Sequence, residues 1–381
     1  MCKPSPSDNQ PAAHQDDQAA NAGARLNATA APSLTRRQAI SAAASTAVLI
    51  AAGLAGCSKA HQGTDQTAAS QDDSSKPANG STFAFDTYCT FTVWGDDAAL
   101  SQLSAECARY DELFDLYNPA SDVARINAAQ GAATTVDPGT AQLIALALDY
   151  CAQADGLFDI TIGAVSTLWD FEKGVRPNDT DIADALQHVG WRGVEVDEES
   201  STVRLTDPRA KLDLGGIAKG FIADRLCELL ASKTKATAAV ISLGGNIALF
   251  GTKPDGSTWN TGIRDPNDPG GSTVVGTAHV TGGSLVTSGL YERTFELDGT
   301  TYWHILDPRT GMPVQTDTAS VTVVCPSSTT ADALSTTLFV AGSKNGSALA
   351  DTHQDTAAYF IKLDGSHAES SRWQELTNFE P

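Results

Sequence analysis

A single α+β domain over residues 81–375 is the fold class this chain predicts, and three observations carry it. Strand and helix patterns mix without the regular βαβ repetition of a parallel sheet. No internal repeat divides the chain. After residue 80 no second polar, low-complexity stretch separates two units. The 381 residues, 41% of them hydrophobic, can build a substantial core.

The elements follow in order. TFAFDTYCTFTVWG (82–95) alternates apolar and polar residues, the pattern of one half-buried strand. Leu103, Cys107, Tyr110, Leu113 and Phe114 recur at helical spacing within 100–117. A second helix is predicted over 139–155, behind Asp137-Pro138. Short strands are expected at 194–196 and 203–205, and a helix over 220–232. AAVISLGGNIALFG reads as two strands joined at Gly244-Gly245. Further strands are expected at 276–281, 293–297, 301–306 and 320–324. A helix over 330–341 and a last strand over 357–362 complete the domain.

The N-terminus reads as an address rather than as structure. Residues 1–34 are polar, rich in Ala, Asn, Gln, Asp and Pro, and without an apolar period. Thr35-Arg36-Arg37-Gln38 is a twin-arginine start, and an apolar run of Ala, Ser and Gly follows to Leu54-Ala55-Gly56-Cys57. The alternative is a plain transmembrane helix, for which this run is short and weakly apolar. The preferred reading is a signal region over 1–56 with a lipobox, which makes Cys57 the lipidated residue. A polar tether over 57–80 would then link the anchor to the domain. The protein is thus expected to be exported and held by its lipid at the outer face of the cell membrane.

The net charge is -21. An acidic surface of that size repels nucleic acid, so no nucleic-acid partner is expected. Beyond Cys57 five cysteines remain, Cys89, Cys107, Cys151, Cys227 and Cys325, with no C-x-x-C and no zinc spacing. They read as small buried apolar residues, and no disulfide is assigned.

Five motifs carry polar chemistry. In ADALSTT (331–337), Asp332 and Thr336 fall four apart. On a helix they share a face and can offer a carboxylate and a hydroxyl to one hard cation such as Mg²⁺. The bland alternative has Thr330 capping that helix and Asp332 serving its dipole. LDLGGIAKG (212–220) supplies close-approach glycines and Lys219, and the helix behind it can lend its positive end to an anion. It matches neither a Walker loop nor a dinucleotide fingerprint, and a structural glycine turn is the alternative. In LFDITIGAVSTLWDF (157–171), Asp159 and Thr161 share a face if extended; the alternative is an Asx turn. SLVTSGLYERTF (284–295) is a polar run of hydroxyls. WHILDPRTGMPV (303–314) sets His304 in an alternating strand before a polar turn, where an imidazole can take a proton near neutral pH. His188, His279, His353 and His367 lack such a setting, and His14 and His61 fall in segments read as disordered. Together these features point to phosphoryl-group chemistry.

In one order the chain reads FDITIGAVSTLW, LDLGGIAKG, ISLGGNIALFG, WNTGIRDP, SLVTSGLYERTF, HILDPRTGMPV and ADALSTTLFVAG. This resembles the ApbE-type FAD:protein FMN transferases, the bacterial flavin transferases, over roughly residues 82–365. The resemblance implies one catalytic domain of the flavin transferase type. It implies that FMN passes from FAD, with Mg²⁺, to a Ser or Thr hydroxyl of a target flavoprotein domain, and that AMP leaves. By the same resemblance Asp332, Thr336 and the backbone of Gly216 are metal ligands. Asp213, Lys219, the segment Asp159, Ile160 and Thr161, and Tyr117 are flavin-nucleotide contacts. Phe85 falls where relatives carry Met, which departs from the family pattern. His304 matches the histidine proposed as base. Two alternatives use the same residues: a metal-dependent FAD pyrophosphatase, and a non-catalytic flavin-binding lipoprotein.

Overall fold

The computed structural model describes residues 76–268 and 272–381. The signal region, Cys57 and residues 57–75 lie outside the described residues. Among the described residues the first strand begins at Ala78, inside the span read as tether, because residues 78–84 pair into a hairpin.

An antiparallel eight-stranded sheet is the frame, in the order β1-β2-β6-β7-β10-β13-β14-β15. Its strands are β1 (Ala78–Ala84), β2 (Thr87–Trp94), β6 (Ala238–Leu243), β7 (Asn246–Gly251), β10 (Gly283–Gly289), β13 (Thr318–Cys325), β14 (Ala357–Lys362) and β15 (His367–Glu369). Helices α1 (Ala99–Phe114), α2 (Asp122–Ala128), α3 (Pro138–Gln153), α4 (Gly163–Ser166), α5 (Asp179–Leu186), α6 (Ala218–Lys233), α7 (Ser328–Ala350) and α8 (Trp373–Thr377) surround it. Three small sheets complete the fold: β3 (Thr134–Thr135) with β4 (Val194–Asp197) and β5 (Thr202–Leu205), β8 (Trp259–Arg264) with β9 (Val274–Val280), and β11 (Thr294–Leu297) with β12 (Thr300–Trp303).

The alternation of the strands decides the layers. On one face Phe91, Val93, Ile241 and Leu243 pack with Leu103 of α1, Ile144 of α3 and Phe221 of α6. Further along the same face, Val321 and Val323 meet Leu334 and Leu338 of α7. The residues between them, Val240, Ile247, Leu285 and Val324, face the β8–β9 ribbon and Trp373. The hydrophobic effect thus holds helices against one side and a ribbon against the other. All eight residues of β13 are buried, as a strand covered on both faces requires.

Several expectations change. Residues 82–95 form a hairpin rather than one strand. Phe85 and Asp86 both take left-handed backbone, with φ 56°, and the Asp111 carboxylate accepts the Phe85 N–H at 2.7 Å. A turn without Gly or Asn gives no sequence signal, and a residue 26 positions away holds it. The strand expected at 301–306 ends at Trp303, so His304 stands just past it. The helix expected over 330–341 runs from Ser328 to Ala350, broken at Gly342, where φ is 77° and Asp317 captures the Ser343 N–H. Among the described residues no helix is long and apolar enough to cross a membrane. The five described cysteines are free thiols, four of them buried, as expected.

Candidate active site

The site begins where α6 crosses α7. Gly220, in the first turn of α6, makes the crossing possible: a Cβ there would lie 2.3 Å from the Ser328 carbonyl oxygen and 2.6 Å from the Asp332 Cβ. The Gly220 N–H, one of the unsatisfied donors of a helix start, points at α7 and donates to Asp332 Oδ2 at 2.8 Å. The positive end of α6 is therefore used on a carboxylate of the protein itself. One turn along α7 stands Thr336, and a Cβ on Gly216 would lie 3.2 Å from its Oγ1. The structure thus brings Gly216 beside Thr336, one turn from Asp332. The bland alternative fails at Thr330: the cap of α7 is Ser327, and the Thr330 hydroxyl bonds Tyr150 instead.

Asp332 is buried, and no ion pair reaches it among the described residues. Burial pushes its carboxyl up, against the pull of the Lys219 ammonium and the Gly220 N–H. A carboxylate stripped of water is costly to keep charged, and a cation beside it offsets that cost. With the Thr336 hydroxyl one turn along, both side-chain donors are hard oxygens, the kind that Mg²⁺ takes. The residues present therefore fit the metal. Among the described residues no cluster of three His, Cys, Asp or Glu side chains offers a competing site.

Lys219 joins this corner to His304, since its charge acts on both Asp332 and His304. His304 is positioned by the β11–β12 hairpin: its N–H donates to the Arg293 carbonyl at 3.2 Å. Phe295 and Tyr302 stack in that hairpin and pack on Phe171 and Trp169. Burial, then the charges of Arg293 and Lys219, push the imidazole down to about 4. Its Nδ1 is buried with no hydrogen-bond partner. A neutral imidazole with an unengaged ring nitrogen is in the form a base needs.

The remaining predicted residues divide. Asp213 lies beside the 159–161 segment, its N–H on the Ile160 carbonyl, and its carboxylate accepts the Ser166 hydroxyl and the Gly215 N–H. Asp159 and Thr161 form the Asx turn of the bland alternative. Asp159 accepts the Thr161 and Trp191 N–H groups, and Thr161 Oγ1 accepts the Gly190 N–H. Both side chains are thereby engaged within the protein, and the segment is buried, its carbonyls taken by the N–H groups of Ile162, Asp213 and Ala164. Phe85 packs partly buried on the main core, at the tip of its hairpin. Tyr117 is 64% exposed beyond the end of α1. Arg293 pairs with Asp86 at 3.6 Å and so ties the Phe85 turn to the His304 hairpin.

Sequence reading missed Gly220 as a donor, Asp224, Arg293 and Asn246, whose buried Oδ1 accepts the Ser328 hydroxyl at 2.7 Å. Asp224 was within reach: in GIAKGFIAD it follows Gly220 by four, hence on the same helix face. Arg293 had no such signal, because only the hairpin pairing brings it beside His304.

The fold and this corner define a class, that of the solved flavin transferases. The structure resembles the crystal structure of the ApbE protein of Thermotoga maritima, with a TM-score of 0.73 and 29% identity over 79% of this chain and 99% of that one. It also resembles the apo flavinyl transferase ApbE of Pseudomonas stutzeri, at TM-score 0.69 and 28% identity over 79% and 96%. The chain belongs to the ApbE family, whose sequence profile matches residues 85–360. It is 36% identical over 283 residues to the FAD:protein FMN transferase of Treponema pallidum, covering 70% of this chain and 78% of that protein. The FAD:protein FMN transferase of Klebsiella pneumoniae is 35% identical over 269 residues, 70% of this chain and 83% of that protein.

Proposed function

We propose that this protein transfers FMN from FAD to a Ser or Thr hydroxyl of a target flavoprotein domain, with Mg²⁺, and releases AMP. The observation that supports it best is the meeting of Gly216, Asp332 and Thr336 at one helix crossing, with the charge of Lys219 acting on Asp332 and on a neutral His304.

Asp332, Thr336 and the Gly216 backbone are the residues that would hold Mg²⁺. Bound there, the ion supplies positive charge that offsets charge on the phosphate and the leaving AMP. The protein's own residues do the rest. His304 takes the proton of the attacking hydroxyl. The hydroxyl oxygen bonds to the flavin-side phosphorus, and the phosphorus–oxygen bond to AMP breaks. Lys219 faces the developing charge, and Asp213, held by the 159–161 segment, with Tyr117 and the Phe85 turn would orient the flavin nucleotide. Export and lipid anchorage through Cys57 belong to the same proposal and rest on the Leu54-Ala55-Gly56-Cys57 pattern.

The test combines the protein with FAD, Mg²⁺ and a candidate target domain. Flavin fluorescence on a denaturing gel and mass spectrometry of the target read the result. A target gaining one FMN, with AMP released, is expected. AMP and free FMN without labelled target would make the protein a pyrophosphatase, and no AMP at all would make it a binder.

A further inference from the structure

Two carboxylates hold the α6–α7 crossing, and they point in opposite directions. Asp332 of α7 takes the Gly220 N–H from the first turn of α6. One turn later on α6, Asp224 takes the whole start of α7. Its Oδ1 accepts the Ser328 N–H at 2.9 Å, and its Oδ2 accepts the Ser327 hydroxyl at 2.9 Å, the Thr329 N–H at 2.9 Å and the Thr329 hydroxyl at 2.7 Å. Gly220 and Asp224 are four apart on α6, and Ser328 and Asp332 are four apart on α7. The four positions close a ring whose centre is the missing side chain of Gly220.

We propose that Asp224 is a positioning residue, which sets the place of Asp332 and Thr336 relative to the α6 start and so tunes the metal affinity of the site. The proposal rests on the metal reading given under Proposed function. A cap for α7 alone is already supplied by Ser327, whose side chain accepts the Thr330 N–H. Four donors gathered on a carboxylate from another helix do something further: they fix where α7 sits along and around α6. The proposed donors come from both sides of that contact, Gly216 from the α6 side and Asp332 and Thr336 from α7. Any slip between the helices changes the spacing of the oxygens. Outer partners that orient metal ligands typically alter affinity ~10–100-fold when removed.

The test uses the full chain with Asp224→Ala, Asp224→Asn and, as a control, Asp317→Ala. Asp317 holds the same helix at its far half, through the Ser343 N–H and hydroxyl. Two quantities are read besides Tm: hydrogen exchange of the Gly220 amide in metal-free protein, and Mn²⁺ affinity from the EPR signal of free Mn²⁺. Asp224→Ala is expected to speed Gly220 exchange about tenfold or more and to weaken Mn²⁺ ~10–100-fold. Asp224→Asn, which keeps one acceptor oxygen, recovers part of both. Asp317→Ala lowers Tm and moves neither. If Asp224→Ala does not fold, the comparison of Asp224→Asn with Asp317→Ala carries the test. Unchanged Gly220 exchange in the folded Asp224 variants, or an equal effect of Asp317→Ala, would overturn the proposal. Wild-type protein that holds no Mn²⁺ would instead overturn the metal reading, and the exchange measurement would still decide the role of Asp224.

Discussion

Replacing His304 with Gln should flatten the acid limb of the protein's stability. Burial and the neighbouring cations hold the imidazole at about 4 in the folded chain, whereas an unfolded histidine titrates near 6.5. Above pH ~6.5 both states are neutral and the group contributes no pH dependence. As pH falls below that value, the unfolded chain takes up a proton that the folded chain refuses, so stability rises with pH across this window and falls on acidification. The loss is complete once pH drops below about 4. At pH 4.5 the unfolded imidazole is about 99% protonated and the folded one mostly neutral, a linkage of roughly 2–3 kcal/mol. Glutamine cannot titrate, so the variant escapes this loss. Urea unfolding of wild type and His304→Gln at pH 7.5 and pH 4.5 measures it as a double difference. The wild type should lose roughly 2–3 kcal/mol more than the variant between the two conditions. An identical loss in both proteins would mean that His304 titrates freely in the folded state, and the argument for its burial and for a standing neutral base would fail.

The other predictions concern the chemistry and the crossing. His304→Ala should slow transfer by ~10²–10⁴-fold while FAD titration gives near-normal affinity; lost stability with unchanged single-turnover rate would make it a packing residue instead. Asp332→Ala should abolish both transfer and AMP release with the circular dichroism spectrum retained, and full activity at low Mg²⁺ would refute the metal assignment. Gly220→Ala should cost about 1–3 kcal/mol in urea unfolding, because its Cβ meets backbone that cannot move aside. Mass spectrometry of protein from native membranes should find a lipid on Cys57 and no residues before it; a chain retaining 1–56 would refute the lipobox reading.

The fold class and most elements of the domain were legible in the sequence, because hydrophobic periodicity is local and carries the core pattern with it. The helices over Ala99–Phe114 and Pro138–Gln153, and the strand pair at Gly244-Gly245, fall where spacing placed them. The i, i+4 pair Asp332 and Thr336 was legible for the same reason, since four residues on a helix define a face whatever surrounds it. What the sequence could not decide is set by partners distant along the chain. Phe85 and Asp86 turn because Asp111 holds them. Asp159 and Thr161 are spent on Gly190 and Trp191, so a motif that looked available to a ligand is buried and engaged within the protein. The bareness of Gly220 matters only because α7 passes within contact of it. The protonation of His304 follows from burial under a hairpin and from Arg293 and Lys219, which the tertiary structure gathers from different elements. Local spacing determines which residues share a face; desolvation and close packing, which need the whole fold, determine what those residues do.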